Sequence, residues 1–114
     1  MAERIEIRSA GGTWSVRAGG AVIAESTAAL QLLEDGYAPV IYFPRGDIAM
    51  AFLDRTEKTS HCPHKGDASY FSLVTKNTTL ENAAWSYEDP FDAVAPIKEH
   101  LAFYASDDVT VEQI

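Results

Sequence analysis

One cysteine, Cys62, is all this chain has, so no internal disulfide can form. That fits a reducing compartment. Structural zinc needs four ligands, usually two spaced pairs. The chain offers Cys62 and three histidines, His61, His64 and His100, with His100 far along the chain. No metal and no cofactor are therefore expected. Basic residues are scarce, 9 Lys and Arg against 17 Asp and Glu, for a net charge of −8. Phosphate affinity comes from clustered Lys and Arg, so nucleic acid is not an expected partner. The longest apolar run, "IAMAFL" at residues 48–53, is far too short to span a membrane, and "MAERIEIRSA" has no apolar stretch for a signal peptide. Together these absences lead us to expect a cytoplasmic protein without a membrane partner. No Gly-rich phosphate loop, G-x-S-x-G elbow or H-E-x-x-H helix occurs, nor a D-x-D or D-x-E pair to hold two metals.

What is present suits one globular domain spanning residues 1–114, 46% hydrophobic. A chain of this length buries about two-thirds of its unfolded surface and needs no staple. The patterning is mainly β. "ERIEIR" and "TWSVRA" alternate apolar and polar residues, and "AVIAE" returns after Gly19-Gly20, outlining a three-stranded meander. "STAALQLLEDG" is the one good helix candidate, near residues 27–34. Ser26 or Thr27 would cap it, Ala29, Leu30 and Leu33 would share a face, and Gly36 would end it. "PVIYF" reads as a short buried strand ended by Pro44, and "TEKTSHC" as another. A short helical turn is expected near residues 92–98, then two final strands in "LAFYA" and "VTVEQI".

The clearest hairpin joins "DASYFSLVTK" to "TLENAAWSY", turning at Lys76-Asn77 or Asn77-Thr78. The two registers differ by two residues, so both put Tyr70 and Ser72 on one face with Glu81, Ala83, Trp85 and Tyr87. Tyr70 then lies opposite or diagonal to Trp85. The pair is either core packing or one wall of a ligand pocket.

"SHCPHKGDASYFSL", residues 60–73, gathers Cys62, His61, His64 and Lys65 just before that hairpin. A catalytic cysteine needs a base within reach, which His61, His64 or Lys65 could supply. A lone cysteine also serves as a small buried hydrophobe, and "PHKG" makes an ordinary tight turn. Arg45, Arg55, Lys58 and Lys65 concentrate four of the nine basic residues between positions 45 and 65, among Asp47, Asp54 and Glu57. The expected site is a pocket walled by Tyr42, Tyr70 and Trp85, with Arg45, His61 and Lys65 as donors to an anionic or carbonyl-bearing ligand. Two other functions stay open: a Cys- or His-dependent enzyme centred on His61 and Cys62, and a protein-interaction module. Ligand identity and oligomeric state are not written in these residues.

"YFPRGDIAM", "HCPHKGDASYFS", "ENAAWSYEDP" and "APIKEHLAFY", in this order and spacing, resemble the DUF427 family of small bacterial proteins. "VIAESTAALQLLEDGYAPVIYFPR" fits the same family upstream. That family usually carries an aromatic residue where His64 stands and often a Gly-Gly turn where Lys76-Asn77 stands. The resemblance implies an Mss4-like, or β-tent, fold of two sheets meeting at an angle, pinned in many relatives by zinc on two C-x-x-C knuckles. This chain lacks those cysteines, so the resemblance does not bring the metal with it. The family carries no established activity, and the residues give no support to the nucleotidyltransferase-like label attached to it.

Overall fold

The computed structural model describes residues 4–114. Ten strands form three antiparallel sheets: β1 (Ile5–Ser9), β4 (Leu30–Glu34) and β5 (Val40–Tyr42); β10 (Val109–Gln113), β2 (Trp14–Ala18) and β3 (Ala21–Ser26); and β6 (Leu53–Cys62), β7 (Gly66–Val74), β8 (Thr79–Ser86) and β9 (Leu101–Phe103). Helical structure among the described residues is confined to 3₁₀ turns at Arg45–Asp47, Met50–Phe52 and Asp92–Ile97. The last is the helical turn expected near residues 92–98.

Alternation explains the layering. Side chains on a strand point alternately to opposite faces. In β7, Ala68 and Tyr70 point one way, and Phe71 and Leu73 belong to the other face. In β9, Ala102 joins Tyr70, whereas Leu101 and Phe103 join Phe71. The four-stranded sheet is thus apolar on both sides. On one side Phe71, Leu73, Leu101 and Phe103 pack with Val16, Ile23 and Val109 of the β10-β2-β3 sheet. On the other, Tyr70 and Ala102 pack with Leu32 and Tyr42 of the β1-β4-β5 sheet and with Val94 and Ile97. Two isolated backbone pairs tie the layers, Phe43 to Leu101 and Ala24 to Ile48.

Three sequence expectations are corrected. The segment near residues 27–34 is strand β4, not a helix. A lone helix of that length is marginal in water. As a strand it gains ladders with β1 and β5 on both sides, and Leu30 and Leu32 enter the second apolar cluster together. Its expected cap becomes a turn, in which Ser26 Oγ accepts from the Ala28 N–H at 2.9 Å and donates to Asp47 at 2.6 Å. Gly36 still adopts the left-handed backbone, φ +86°, but between two strands. The meander is also incomplete. β2 pairs β3, whereas β1 pairs β4. Gly11 and Gly12, both at positive φ, divert the chain between layers. Finally, strand pairing makes three sheets rather than two, because two apolar faces on the central sheet require two covers.

The β7–β8 hairpin turns at Lys76-Asn77, closed by the Thr75 N–H on Thr78 O at 2.8 Å. It uses both registers in succession. Leu73 faces Leu80 near the turn, a bulge follows, and beyond it Tyr70 faces Trp85. Asn82 takes up the bulge at φ +53°. Beyond the shift Tyr70 stays with Trp85 and Phe71 with Ala84, but Ala83, expected on the Tyr70 face, packs beside the bulge with Phe71 and Leu73 in the other cluster.

The turn before β7 depends on one glycine. The Lys65 N–H bonds to Cys62 O at 3.2 Å, so Pro63 takes the second position of the turn, which its fixed φ favours. Gly66 follows at φ +112°, where L-residues are strained. Gly66→Ala should therefore destabilise by about 1–3 kcal/mol in denaturant melts. Gly46→Ala, with open space around its Cβ, should change stability by about 0.5 kcal/mol or less. Equal effects at the two positions would contradict this account of the turn.

Candidate functional site

A cavity of about 480 Å³ opens where the β1-β4-β5 sheet meets the central sheet. β4 supplies Leu32 and Glu34, and the β4–β5 loop supplies Tyr37 and Ala38. β5 adds Val40 and Tyr42, and the end of β6 with its turn adds Cys62, Pro63, His64 and Lys65. Tyr70, Trp85, Tyr87 and Tyr104 complete the wall. Parity along the strands decides membership. Tyr42 faces the cavity while Phe43 enters the opposite core, and Cys62 faces it while His61 does not.

The aromatic wall is internally tied. Trp85 Nε1 donates to the Tyr42 hydroxyl at 3.3 Å, and the two rings meet edge to face at 6.4 Å. Tyr104 lies tilted against Trp85, ring centroids 4.4 Å apart. The Tyr70 hydroxyl shares a 2.9 Å hydrogen bond with Ser60, and Lys58 Nζ lies 4.5 Å from the Tyr70 ring centre. Burial raises the Tyr42 pKa and pushes Tyr87 up to about 12, against the pull of Lys65. Burial and a hydrogen bond with Tyr70 push Tyr104 up to about 12. These phenols stay protonated at neutral pH, so their hydroxyls can donate as well as accept.

One ion pair stands in this wall. Lys65 Nζ donates to Glu34 Oε1 at 2.8 Å, with side-chain exposures of 11% and 10%. The ammonium also lies 5.9 Å from the Tyr87 ring centre. Burial, the largest single influence, lowers the Lys65 pKa, but the Glu34 hydrogen bond together with the electrostatic pull of Cys62, Tyr87 and Glu34 outweighs it, and the pKa ends above its ordinary 10.5. Lys65 is therefore charged at neutral pH, and it keeps N–H donors beyond the one that Glu34 takes.

Of the expected site residues, the structure gathers Tyr42, Lys65, Tyr70 and Trp85 around the cavity and places Arg45 and His61 elsewhere. Arg45 Nε donates to Glu99 O at 3.0 Å, and its guanidinium reaches Ser86 Oγ at 3.2 Å and Glu88 at 3.4 Å. Arg55 joins it on Glu88, and both guanidiniums lie within 6 Å of the Phe71 ring centre on the other side of the sheet. His61 pairs with Asp67 across the β6–β7 ladder at 2.7 Å and meets the Phe91 ring at 6.4 Å. Alternation alone puts Tyr87 on the Trp85 face, but nothing local assigns it a role. Sequence reasoning misses Glu34, hidden in the segment that reads as a helix. Among the described residues no group of three His, Cys, Asp or Glu side chains could hold a metal ion, and no helix is long and apolar enough to cross a membrane.

Two expected outcomes follow from these charges. Removing one partner of a buried pair strands the other, so Lys65→Met should cost about 3–5 kcal/mol in denaturant melts. Lys65→Met with Glu34→Leu should recover most of that loss, whereas a double variant no better than Lys65→Met would show that the pair itself supplies the stability. For Glu88, burial raises the carboxyl pKa, but hydrogen bonds from Arg55 and Ser69 and the nearby guanidiniums outweigh it and hold the pKa below 4.5. A depressed carboxylate stabilises above its unfolded pKa and loses that contribution as pH falls through the folded value. Wild type should thus be more stable than Glu88→Gln at pH 7, and the gap should close on acidification below about pH 4.5. A gap that stays constant to pH 2 would contradict this.

No curated protein matches the chain. A family model described as a domain of unknown function, DUF427, matches residues 6–113. That match covers nearly every residue of the three layers and of the cavity wall, and the chain belongs to the DUF427 family.

Proposed function

We propose that this chain is a small-molecule binding domain whose cavity takes a planar, carbonyl-bearing ligand. The observation that carries this reading is the Lys65–Glu34 pair set in an aromatic wall. A cavity with an apolar aromatic body and a few convergent polar groups has the usual composition of a ligand site. The ammonium offers donors to a carbonyl oxygen, and the carboxylate beside it can accept from an adjacent N–H. Together they match an amide better than an anion, because Glu34 already balances the charge of Lys65. Arg45, which would have favoured an anion, is engaged by Glu88, Ser86 and Glu99 on the far side of the sheet. The opposite facing of His61 and Cys62 on β6 weighs against an enzyme that uses the two together. The net charge of −8 supports a site without nucleic acid, and the single free thiol suits a cytoplasmic setting.

Benzamide is the simplest probe with a ring and an adjacent carbonyl and N–H. It should quench tryptophan fluorescence on titration and bind more tightly than benzoate. A charge-assisted hydrogen bond contributes about 1.5–3 kcal/mol, so Lys65→Met with Glu34→Leu should weaken benzamide about tenfold or more. Arg45→Ala should leave its affinity unchanged. Benzoate binding more tightly than benzamide, and lost with Arg45→Ala, would establish the anion site instead.

A further inference from the structure

A second cavity, of about 620 Å³, lies next to the first and shares Ala38, Val40, Trp85 and Tyr104 with it. Its remaining wall includes Trp14, Pro39, Ile41, Phe103 and Val111, and none of its lining residues is charged. In a chain of net charge −8, an open hollow without a charged side chain is a surface left for apolar contact. The Trp85–Tyr104 stack, centroids 4.4 Å apart, forms the partition between the two cavities. Trp85 is chemically two-sided there. Its N–H is turned to Tyr42, which lines only the first cavity, while its ring stacks on Tyr104, which lines both. Tyr104 is half-exposed, so the partition is a ridge at the surface rather than a sealed wall.

We infer that the two cavities are compartments of one site and that its ligand is amphipathic, with a planar carbonyl-bearing head beside Lys65 and Glu34 and an apolar tail beyond Trp85, against Ile41, Phe103 and Val111. This rests on reading the first cavity as the head-group site. Continuity selects the occupant. Four residues wall both compartments, so a head stacked on Trp85 directs any substituent across the ridge. The charged pair lies on one side of it, and the wall on the other is uncharged, with Gln31 its one amide side chain. A ligand with a head alone leaves the larger, drier compartment to water.

The test compares benzamide with 4-hexylbenzamide on the full chain, by calorimetry and by following the two indole N–H signals in NMR spectra. Each buried methylene is worth about fourfold in affinity, so the hexyl compound should bind at least tenfold more tightly. Trp14, whose N–H is held by Gly11 O at 2.9 Å, lines only the second cavity. Its signal should move with 4-hexylbenzamide and not with benzamide, while the Trp85 signal moves with both. Ala105 is exposed and lines the second cavity alone, so Ala105→Trp fills that compartment without touching the core. In that variant the affinity ratio of the two compounds should fall towards one. Equal affinities in wild type, or an unmoved Trp14 signal, would overturn the two-compartment ligand and leave the head-group reading standing. Binding of 4-hexylbenzamide without any binding of benzamide would overturn both, as would no binding of either.

Discussion

The central sheet has two apolar faces, and most of this architecture answers to that constraint. β7 sends large side chains to both sides and β9 sends Leu101 and Phe103 to one and Ala102 to the other, so a single covering sheet would leave Tyr70, Ala102 and their neighbours in water. Aromatic burial is among the largest contributions to a core. The second face is therefore covered, and the cover is built from β1, β4 and β5. This demand overrides the local helical preference of "STAALQLLEDG". A helix there would remove the middle strand of the covering sheet, and β1 and β5 would have no common partner. The same cover brings Glu34, at the end of β4, against the turn that carries Lys65.

The cavity is where that cover and the central sheet fail to close. Near Leu32 and Ile97 the fit is tight, with both side chains almost fully buried. Towards Tyr37 and Tyr104, both exposed, the cavity is lined by side chains that are aromatic but hydroxylated. A buried ion pair rarely stabilises a fold more than apolar residues of the same volume would. Lys65 and Glu34 hold each other in one geometry within an aromatic frame, and that is what a positioned donor and acceptor need. The pair thus fixes the position of two charges at the rim of the cavity more than it adds to the stability of the fold.

Much of this was legible in the sequence, and the reasons for the rest are physical. Period-two alternation exposed β1, β2, β3 and the β7–β8 hairpin. Because the side-chain period is two, the Tyr70–Trp85 pairing survived an unforeseen bulge at Asn82. The same arithmetic puts His61 and Cys62, adjacent on β6, on opposite faces. What stayed hidden was tertiary. Nothing local says that β1 leaves β2 for β4, since both pairings satisfy the same alternation. Glu34 could not be placed while its segment read as a helix. Arg45 reads as a ligand donor among the cations between positions 45 and 65, but Glu88 and Glu99, more than forty residues further along the chain, claim it.

The Arg45–Arg55 pair and Lys65 therefore differ in kind. Arg45 and Arg55 converge on one carboxylate and lie beside Phe71, which binds the outer edge of the central sheet to the segment after β5. Their guanidiniums suit that work, since each fork can serve several acceptors at once. Lys65 is a single ammonium on a flexible stem, matched to one carboxylate and overlooking an aromatic cavity. Ammonium donors are not fixed in a plane, so those that Glu34 leaves over can reorient. An acidic chain also repels free anions from its surface. Its inner cavity instead presents ammonium and carboxylate as one balanced pair, and the aromatic wall around them adds contact surface without adding charge.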